Sequence, residues 1–299
     1  RLLELAEAEL GPPPVPYTFM AMGSMARSEQ TLVTDQDNAL VLDDAFDPQR
    51  HDDYFQTLAE RVSDGLDACG YGYCKGGIMA TNSRWRQPLS VWKRYFHHWI
   101  EQPNPERLLH SNIFFDLDNV HGEERFIEVL QELVATEAGR SKPFLAAMSR
   151  NALNRTPPIG FFRDFVMEKD GRQNNSINVK RRGTAPLTDL IRVHALACGS
   201  RAQNSFERLN DIAETQLLGP GVADRLSYAL EILSMTRLRH QAIDIEQERE
   251  PDNNIEPENV PAKERADIKE AFRALSQAQK FLRFRYPMPA GGVRAGRPG

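Results

Sequence analysis

Apolar and polar positions follow two different periods along this chain, and the change from one to the other divides it in two. Leu2 to Leu10 carries the spacing of a short amphipathic helix, which the run Gly11-Pro-Pro-Pro-Val-Pro16 breaks. The apolar run Tyr17 to Met22 reads as a short buried strand ending in a tight turn at Gly23-Ser24, and Asn38 to Leu42 reads as a second strand. Helical spacing returns between Asp52 and Ala68 through Phe55, Leu58, Ala59, Val62 and Leu66, with Gly70 as a stop, and again over Leu89 to Ile100. The β-rich run Ser111 to Leu117 predicts a further strand, leading through His121-Gly122 into a helix near Glu123 to Ala138. From about Lys142 the strand signals thin out. Pro143 to Asn154, Leu187 to Ala197, Phe206 to Glu214, Val222 to Ile245 and Lys263 to Phe284 all read as amphipathic helices. The pattern predicts an α/β domain, a mixed sheet with helices, over residues 1–140, then an all-α helical bundle over 141–286 and a disordered tail over 287–299. No internal repeat is present.

Candidate chemistry collects where the first strands end. Asp35 and Asp37 stand at i and i+2 where the second strand begins, so an extended chain projects both carboxylates from one face. Such a pair suits hard divalent cations, Mg²⁺ or Mn²⁺. Attack on the α-phosphorus of a nucleoside triphosphate builds negative charge that paired metals stabilise. A third carboxylate is wanted near the attacking hydroxyl, and Asp116, at the end of an apolar run, is assigned to it. The backbone of Gly23-Ser24 can face phosphate oxygens. The plain structural alternative is that Asp-x-Asp merely bonds its own backbone in a turn.

The segment Gly23-Ser-Met-Ala-Arg-Ser-Glu-Gln30 through Thr34-Asp-Gln-Asp-Asn-Ala-Leu-Val41 resembles the signature of the DUF294 nucleotidyltransferases, relatives of the PII uridylyltransferases and glutamine-synthetase adenylyltransferases in the polymerase-β-like superfamily. Cys74-Lys-Gly-Gly-Ile-Met-Ala-Thr-Asn82, with Trp85 and Trp92 beyond it, resembles the family's middle block, and Ile113-Phe-Phe-Asp-Leu117 its third-acid strand. Val179-Lys-Arg-Arg-Gly183, Arg237-Leu-Arg-His-Gln241 and Pro251-Asp-Asn-Asn-Ile-Glu-Pro257 are similar to blocks of its helical second domain. The resemblance implies a polymerase-β-like catalytic domain followed by a helical substrate-binding domain. It also implies catalytic and metal-binding roles for Asp35, Asp37 and Asp116, and upstream CBS or cyclic-nucleotide-binding domains in a longer protein. Two positions depart from the pattern: Asp118 and Asn119 stand where the family usually carries Arg and Pro, and Ala26 replaces a glycine. If the strand persists, Asp118 at i+2 shares the face of Asp116 and either adds unwanted negative charge or supplies an alternative ligand.

Composition narrows the partners. A net charge of −5 over 299 residues argues against a general nucleic-acid groove. Apolar runs fall short of a membrane span, no signal-peptide pattern opens the chain, and Cys69, Cys74 and Cys198 fit neither a disulfide framework nor a zinc set, which points to a cytoplasmic location. The chain opens on Arg1 rather than Met and reads as a fragment. Arg27 either pairs with a phosphate or forms a salt bridge, and Lys180-Arg181-Arg182 either reaches the triphosphate or an acidic acceptor or lies on a solvated face. Gly76-Gly77 is a close-approach site or a plain turn, and Asn82 a nucleotide contact or a cap. Trp85, Trp92 and Trp99, seven residues apart, read as a core stripe, and His97-His98 as structural. Two functions follow: transfer of a nucleoside monophosphate from an NTP to a hydroxyl of a protein or small molecule, or a catalytically silent nucleotide-sensing module.

Overall fold

The computed structural model describes residues 1–104, 108, 112–158 and 176–287, so the tail at 288–299 lies outside the described residues. The front half runs α1 (Leu2–Leu10), β1 (Tyr17–Met22), α2 (Gly23–Ala26), β2 (Thr34–Gln36), β3 (Asn38–Leu42), α3 (Pro48–Ala68), β4 (Tyr71–Tyr73), β5 (Arg86–Pro88), α4 (Leu89–Glu101), β6 (Leu117–Gly122) and α5 (Glu124–Ala138). The back half runs α6 (Lys142–Ala152), β7 (Ile177–Asn178), α7 (Ala185–Cys198), α8 (Ser205–Ala213), α9 (Val222–Glu246), β8 (Asn254–Ile255) and α10 (Ala262–Arg285). Helix starts follow local chemistry. Asp47 accepts from the Gln49 N–H ahead of Pro48 in α3, Ser141 caps α6, and Asn204 caps α8.

The main sheet has the order β5-β3-β1-β6, with β1 antiparallel to β3 and β6 and β5 parallel to β3. β1 is buried along its whole length because it is covered on both faces. Its alternate residues serve two cores. Tyr17 and Phe19 pack with Leu40 and Leu42 against Phe55, Leu58 and Val62 of α3 and Leu3 and Ala6 of α1. Met20 and Met22, with Ala39 and Val41, face Trp92 and Phe96 of α4 and Phe126 and Leu130 of α5. That second core does not stop at the boundary near Gly139–Ser141. It continues through Phe144, Leu187, Ile191, Leu233 and Phe272, so front sheet and back helices share one apolar cluster. No helix among the described residues is long and apolar enough to cross a membrane.

One predicted strand is corrected. Asn112–Phe115 forms a 3₁₀ turn, and extended structure begins only at Leu117. A strand would send Phe114 and Phe115 to opposite faces. The turn instead buries both in the same core, Phe114 against Trp85 and Trp99 (ring centres 4.4 and 5.0 Å apart) and Phe115 against Phe144 (5.0 Å). Trp85, Trp92 and Trp99 are all core residues, as their spacing predicts.

His194 of α7 is fully buried, stacked on Phe281 at 6.2 Å and 3.4 Å from the Tyr286 hydroxyl. Burial first, and the Arg285 charge second, push its pKa down from 6.5 to about 4. On acidification the unfolded chain takes up this proton before the native state does, so its stabilising contribution, complete above pH 6.5, is lost as the pH falls towards 4. His194→Leu is expected to remove about 2 kcal/mol of the acid destabilisation over that window, read by urea denaturation at its two ends.

Candidate functional site

Gly23 makes the turn out of β1 with φ of 58°, in the left-handed region. A Cβ there would lie 2.7 Å from Ile113 Cγ1 and 3.4 Å from Asp37 Oδ2, so the position requires both the glycine conformation and the absent side chain. The Met22 N–H donates to the Asp37 carbonyl at 2.9 Å, and the Gly23 N–H to the Asp116 carbonyl at 3.1 Å. Turn, second strand and Asp116 backbone therefore meet at one point.

Asp35 lies in β2, opposite Gly72 of the parallel strand β4, whereas Asp37 sits at the crossing from β2 into β3. The polar residues between and beside them fix that crossing. Buried Gln36 donates through Nε2 to the Ser63 and Tyr71 carbonyls at 2.9 and 3.0 Å. Asn38 donates to Gln36 Oε1 at 3.1 Å and accepts from the Ala80 N–H at 2.8 Å. The carboxylates of Asp35 and Asp37 converge with the thiol of Cys74, their ligand atoms all within 4.8 Å of one another. Cys74 was set aside by the cysteine count. It follows β4, which pairs with the strand of Asp35, and no local signal shows that pairing.

Asp116 is not in this group. Its fully buried carboxylate accepts from Arg192 Nε and Nη2 at 2.8 and 2.5 Å, from Arg208 Nη1 at 2.5 Å and from Arg27 Nη1 at 2.5 Å. Burial alone would raise its pKa, but the guanidiniums of Arg192, Arg208 and Arg27 more than reverse this and hold it far below the usual carboxylate range. Further anions balance the cluster: Glu29 accepts from Arg27 Nε at 2.9 Å and Asp189 from Arg192 Nη1 at 2.6 Å. Glu29 also accepts from the Ser205 N–H at 2.6 Å, and Asn204 Nδ2 donates to the Arg27 carbonyl at 2.9 Å. Arg27 is thus an ion-pair residue here, one of its two expected roles. Arg192 and Arg208 were not singled out in the sequence, where neither belongs to a motif.

The remaining candidates separate clearly. Asp118 is exposed, with Oδ1 accepting from the Asn119 N–H, and the acids that act on it are Glu124 and Glu207, not Asp35 or Asp37. Asn82 accepts from the Arg84 N–H and donates to the Gly77 carbonyl, a cap. Lys180 opens a π-helical turn, Lys180–Thr184, near enough to Asp35 and Asp37 for their charges to act on its ammonium. It lines a cavity of about 70 Å³ together with Ser24, Arg27, Thr31, Thr184 and Arg237.

The profile of the family described as "Putative nucleotidyltransferase DUF294" matches residues 1–106, and that of "Putative nucleotidyltransferase substrate binding domain" matches residues 142–286. The chain belongs to this family. No curated protein matches it. The first match takes in β1 to β5 with α1 to α4 and the carboxylate pair, the second the helical part, while β6, α5 and Asp116 lie between the two.

Whether this DUF294 site suits a divalent cation can be judged from its donors. Burial foremost pushes the Asp37 pKa up from 3.8 to about 6, with the Asp35 charge adding to it, against opposition from the Cys74 thiol, Lys180 and Arg27. Cys74 is itself pushed up to about 11, first by burial and then by Asp37, so its protonated sulfur donates to the carboxylate. A neutral thiol is a poor ligand for a hard cation. The set that fits is therefore two crowded carboxylates, with oxygen positions left to water or phosphate.

In metal-free solution the raised pKa makes ionised Asp37 a cost to folding above about pH 6, and this cost vanishes as the pH falls towards 4. Asp37→Asn is expected to stabilise the chelator-treated protein by about 1–2 kcal/mol at pH 8 and to give no gain near pH 4, measured by denaturant melts. Asp116→Asn is expected to act in the opposite direction. It leaves guanidiniums facing a neutral amide in the interior, and stability should fall by about 3–5 kcal/mol, read from the same melts at pH 7.

Proposed function

We propose that this protein transfers a nucleoside monophosphate from an NTP to a hydroxyl of a protein or small-molecule acceptor, releasing pyrophosphate, in a regulatory or signalling setting. The observation that carries this reading is the convergence of Asp35 and Asp37 beneath the Gly23-Ser24 turn, and the charge of Lys180 acts on both. Asp35 and Asp37 would hold the divalent ion, Mg²⁺ or Mn²⁺, which when bound supplies charge neutralisation on the triphosphate. The glycine turn lets the backbone lie close to the phosphates, with the Ser24 hydroxyl in the same cleft. Lys180 brings positive charge from the helical part to the phosphate chain.

In the transfer the acceptor oxygen forms a bond to the α-phosphorus, and the bond from that phosphorus to the α,β-bridging oxygen breaks. Pyrophosphate leaves with the electron pair, and the hydroxyl proton passes to water. Asp116, held ionised by guanidiniums, is a weak proton acceptor in this arrangement, so a third-acid role for it requires those pairs to part.

That observation favours a second reading. With Asp116 committed to three arginines, the protein binds an NTP through Asp35, Asp37 and Lys180 and reports its presence without turnover. The two readings differ in product. Under the first, incubation with each labelled NTP and Mg²⁺ in lysate yields a labelled acceptor, and under the second only reversible binding.

Asp35→Asn with Asp37→Asn is expected to abolish metal-dependent NTP binding, by roughly a hundredfold or more, while the protein stays folded. Calorimetry in Mg²⁺ and in excess chelator checks this. Equal affinity of the wild type under both conditions would falsify the metal-bridged reading.

A further inference from the structure

Arg237 in α9 is 8% exposed, and no carboxylate pairs with it among the described residues. Its partners are neutral oxygens: Nε donates to Asn253 Oδ1 at 3.0 Å, Nη1 to Thr184 Oγ1 at 3.2 Å and Nη2 to Thr31 Oγ1 at 3.2 Å. A guanidinium has five N–H donors, so these bonds fix the plane of the group and leave one N–H on each terminal nitrogen. Taking an arginine out of water without a counter-charge is costly. Burial first, and the neighbouring Arg27 second, lower the Arg237 pKa to about 10. The other buried arginines of the site, Arg192 and Arg208, do have a carboxylate, Asp116.

The space beside Arg237 is the cavity of about 70 Å³ between the front turn and the helical part. Its wall carries Arg27, Lys180 and Arg237 against the single carboxylate of Glu29, which Arg27 already engages. That volume lies far below the roughly 300–1,000 Å³ of pockets that enclose drug-sized ligands, so the occupant is a small group. Lys180 joins the cavity to the carboxylate pair, since it lines the one and feels the charge of the other.

We propose that this cavity is an anion pocket with Arg237 as its principal cation, and that it takes the terminal phosphates of the nucleoside triphosphate. The assignment of the anion to the nucleotide rests on the transfer-site reading above. The fixed fork of Arg237 matches phosphate oxygens, and Lys180 supplies a point charge between pocket and metal-binding carboxylates. An anion there removes the repulsion among the three cations. In the sequence Arg237 stands only within a block similar to one of the family's. Its lack of a counter-charge among the described residues becomes visible once Asn253, Thr184 and Thr31 surround it.

The test is calorimetry on the full chain with pyrophosphate, with AMP and with Mg²⁺ and α,β-methylene-ATP, for wild type, Arg237→Gln and Arg237→Lys. Arg237→Gln is expected to weaken pyrophosphate and the triphosphate analogue by about tenfold or more and to leave AMP unchanged, with Arg237→Lys between. Pyrophosphate is also expected to compete with the analogue and to raise the melting temperature of the wild type, a readout that survives if Arg237→Gln fails to fold. Unchanged pyrophosphate affinity in Arg237→Gln, or no wild-type melting shift at saturation, overturns the pocket. Pyrophosphate binding without competition overturns its assignment to the nucleotide, the pocket then belonging to an acceptor phosphate. If pyrophosphate and analogue bind through Arg237 but no NTP is ever turned over, the pocket stands and the transfer reading falls.

Discussion

Everything around the cleft depends on one carboxylate that has been taken out of water. Asp116 has no solvent to stabilise its charge, so its position is tenable only where cations close around it, and those come from three separate stretches: Arg27 after the β1 turn, Arg192 on α7 and Arg208 on α8. Such a cluster is not a large net source of stability, because desolvating each ion cancels much of the attraction. Its effect is geometric. The bonds from Arg192 and Arg208 hold α7 and α8 against the Asp116 carboxylate, and the turn Lys180–Thr184 that leads into α7 carries Lys180 within range of the charges of Asp35 and Asp37.

The cleft that results keeps charges apart rather than pairing them. Asp35 and Asp37 crowd together beside Cys74, while Lys180 and Arg237 line a separate small cavity with Ser24, Thr31 and Thr184. Asp37 and Arg237, both buried, each carry a charge beside one of like sign. A divalent cation relieves the first and a phosphate chain the second. Under the proposed transfer reading, an NTP with its metal would do both at once.

The shared core explains how two family segments act as one body. Met20 and Met22 of the sheet belong to the same apolar cluster as Leu187 and Leu233 of the helices, with Phe114, Phe115 and Phe144 bridging them. The helical part is therefore packed against the sheet as one continuous interior.

Much of this was legible in the residues themselves. The helices from Leu2–Leu10 to Ala262–Arg285 follow apolar spacing, three of them with side-chain caps at Asp47, Ser141 and Asn204, and β1 and β3 follow apolar runs ended by Gly23 and begun after Asp37, because these are near-neighbour properties that the chain carries wherever it goes. The pairing of Asp35 with Asp37 is of the same kind, two positions apart in an extended segment. What the tertiary structure alone decided is which charges meet. The approach of Cys74 to Asp37, the closure of Arg192 and Arg208 on Asp116 and the isolation of Arg237 from the acids among the described residues each join or separate residues distant in sequence. The 3₁₀ turn at Asn112–Phe115 is likewise set by a core that accepts two adjacent phenylalanines on one side. Periodicity reports how a segment divides between water and interior. The counter-ion of a buried charge depends on which other segments share that interior, and that is settled only when the chain packs.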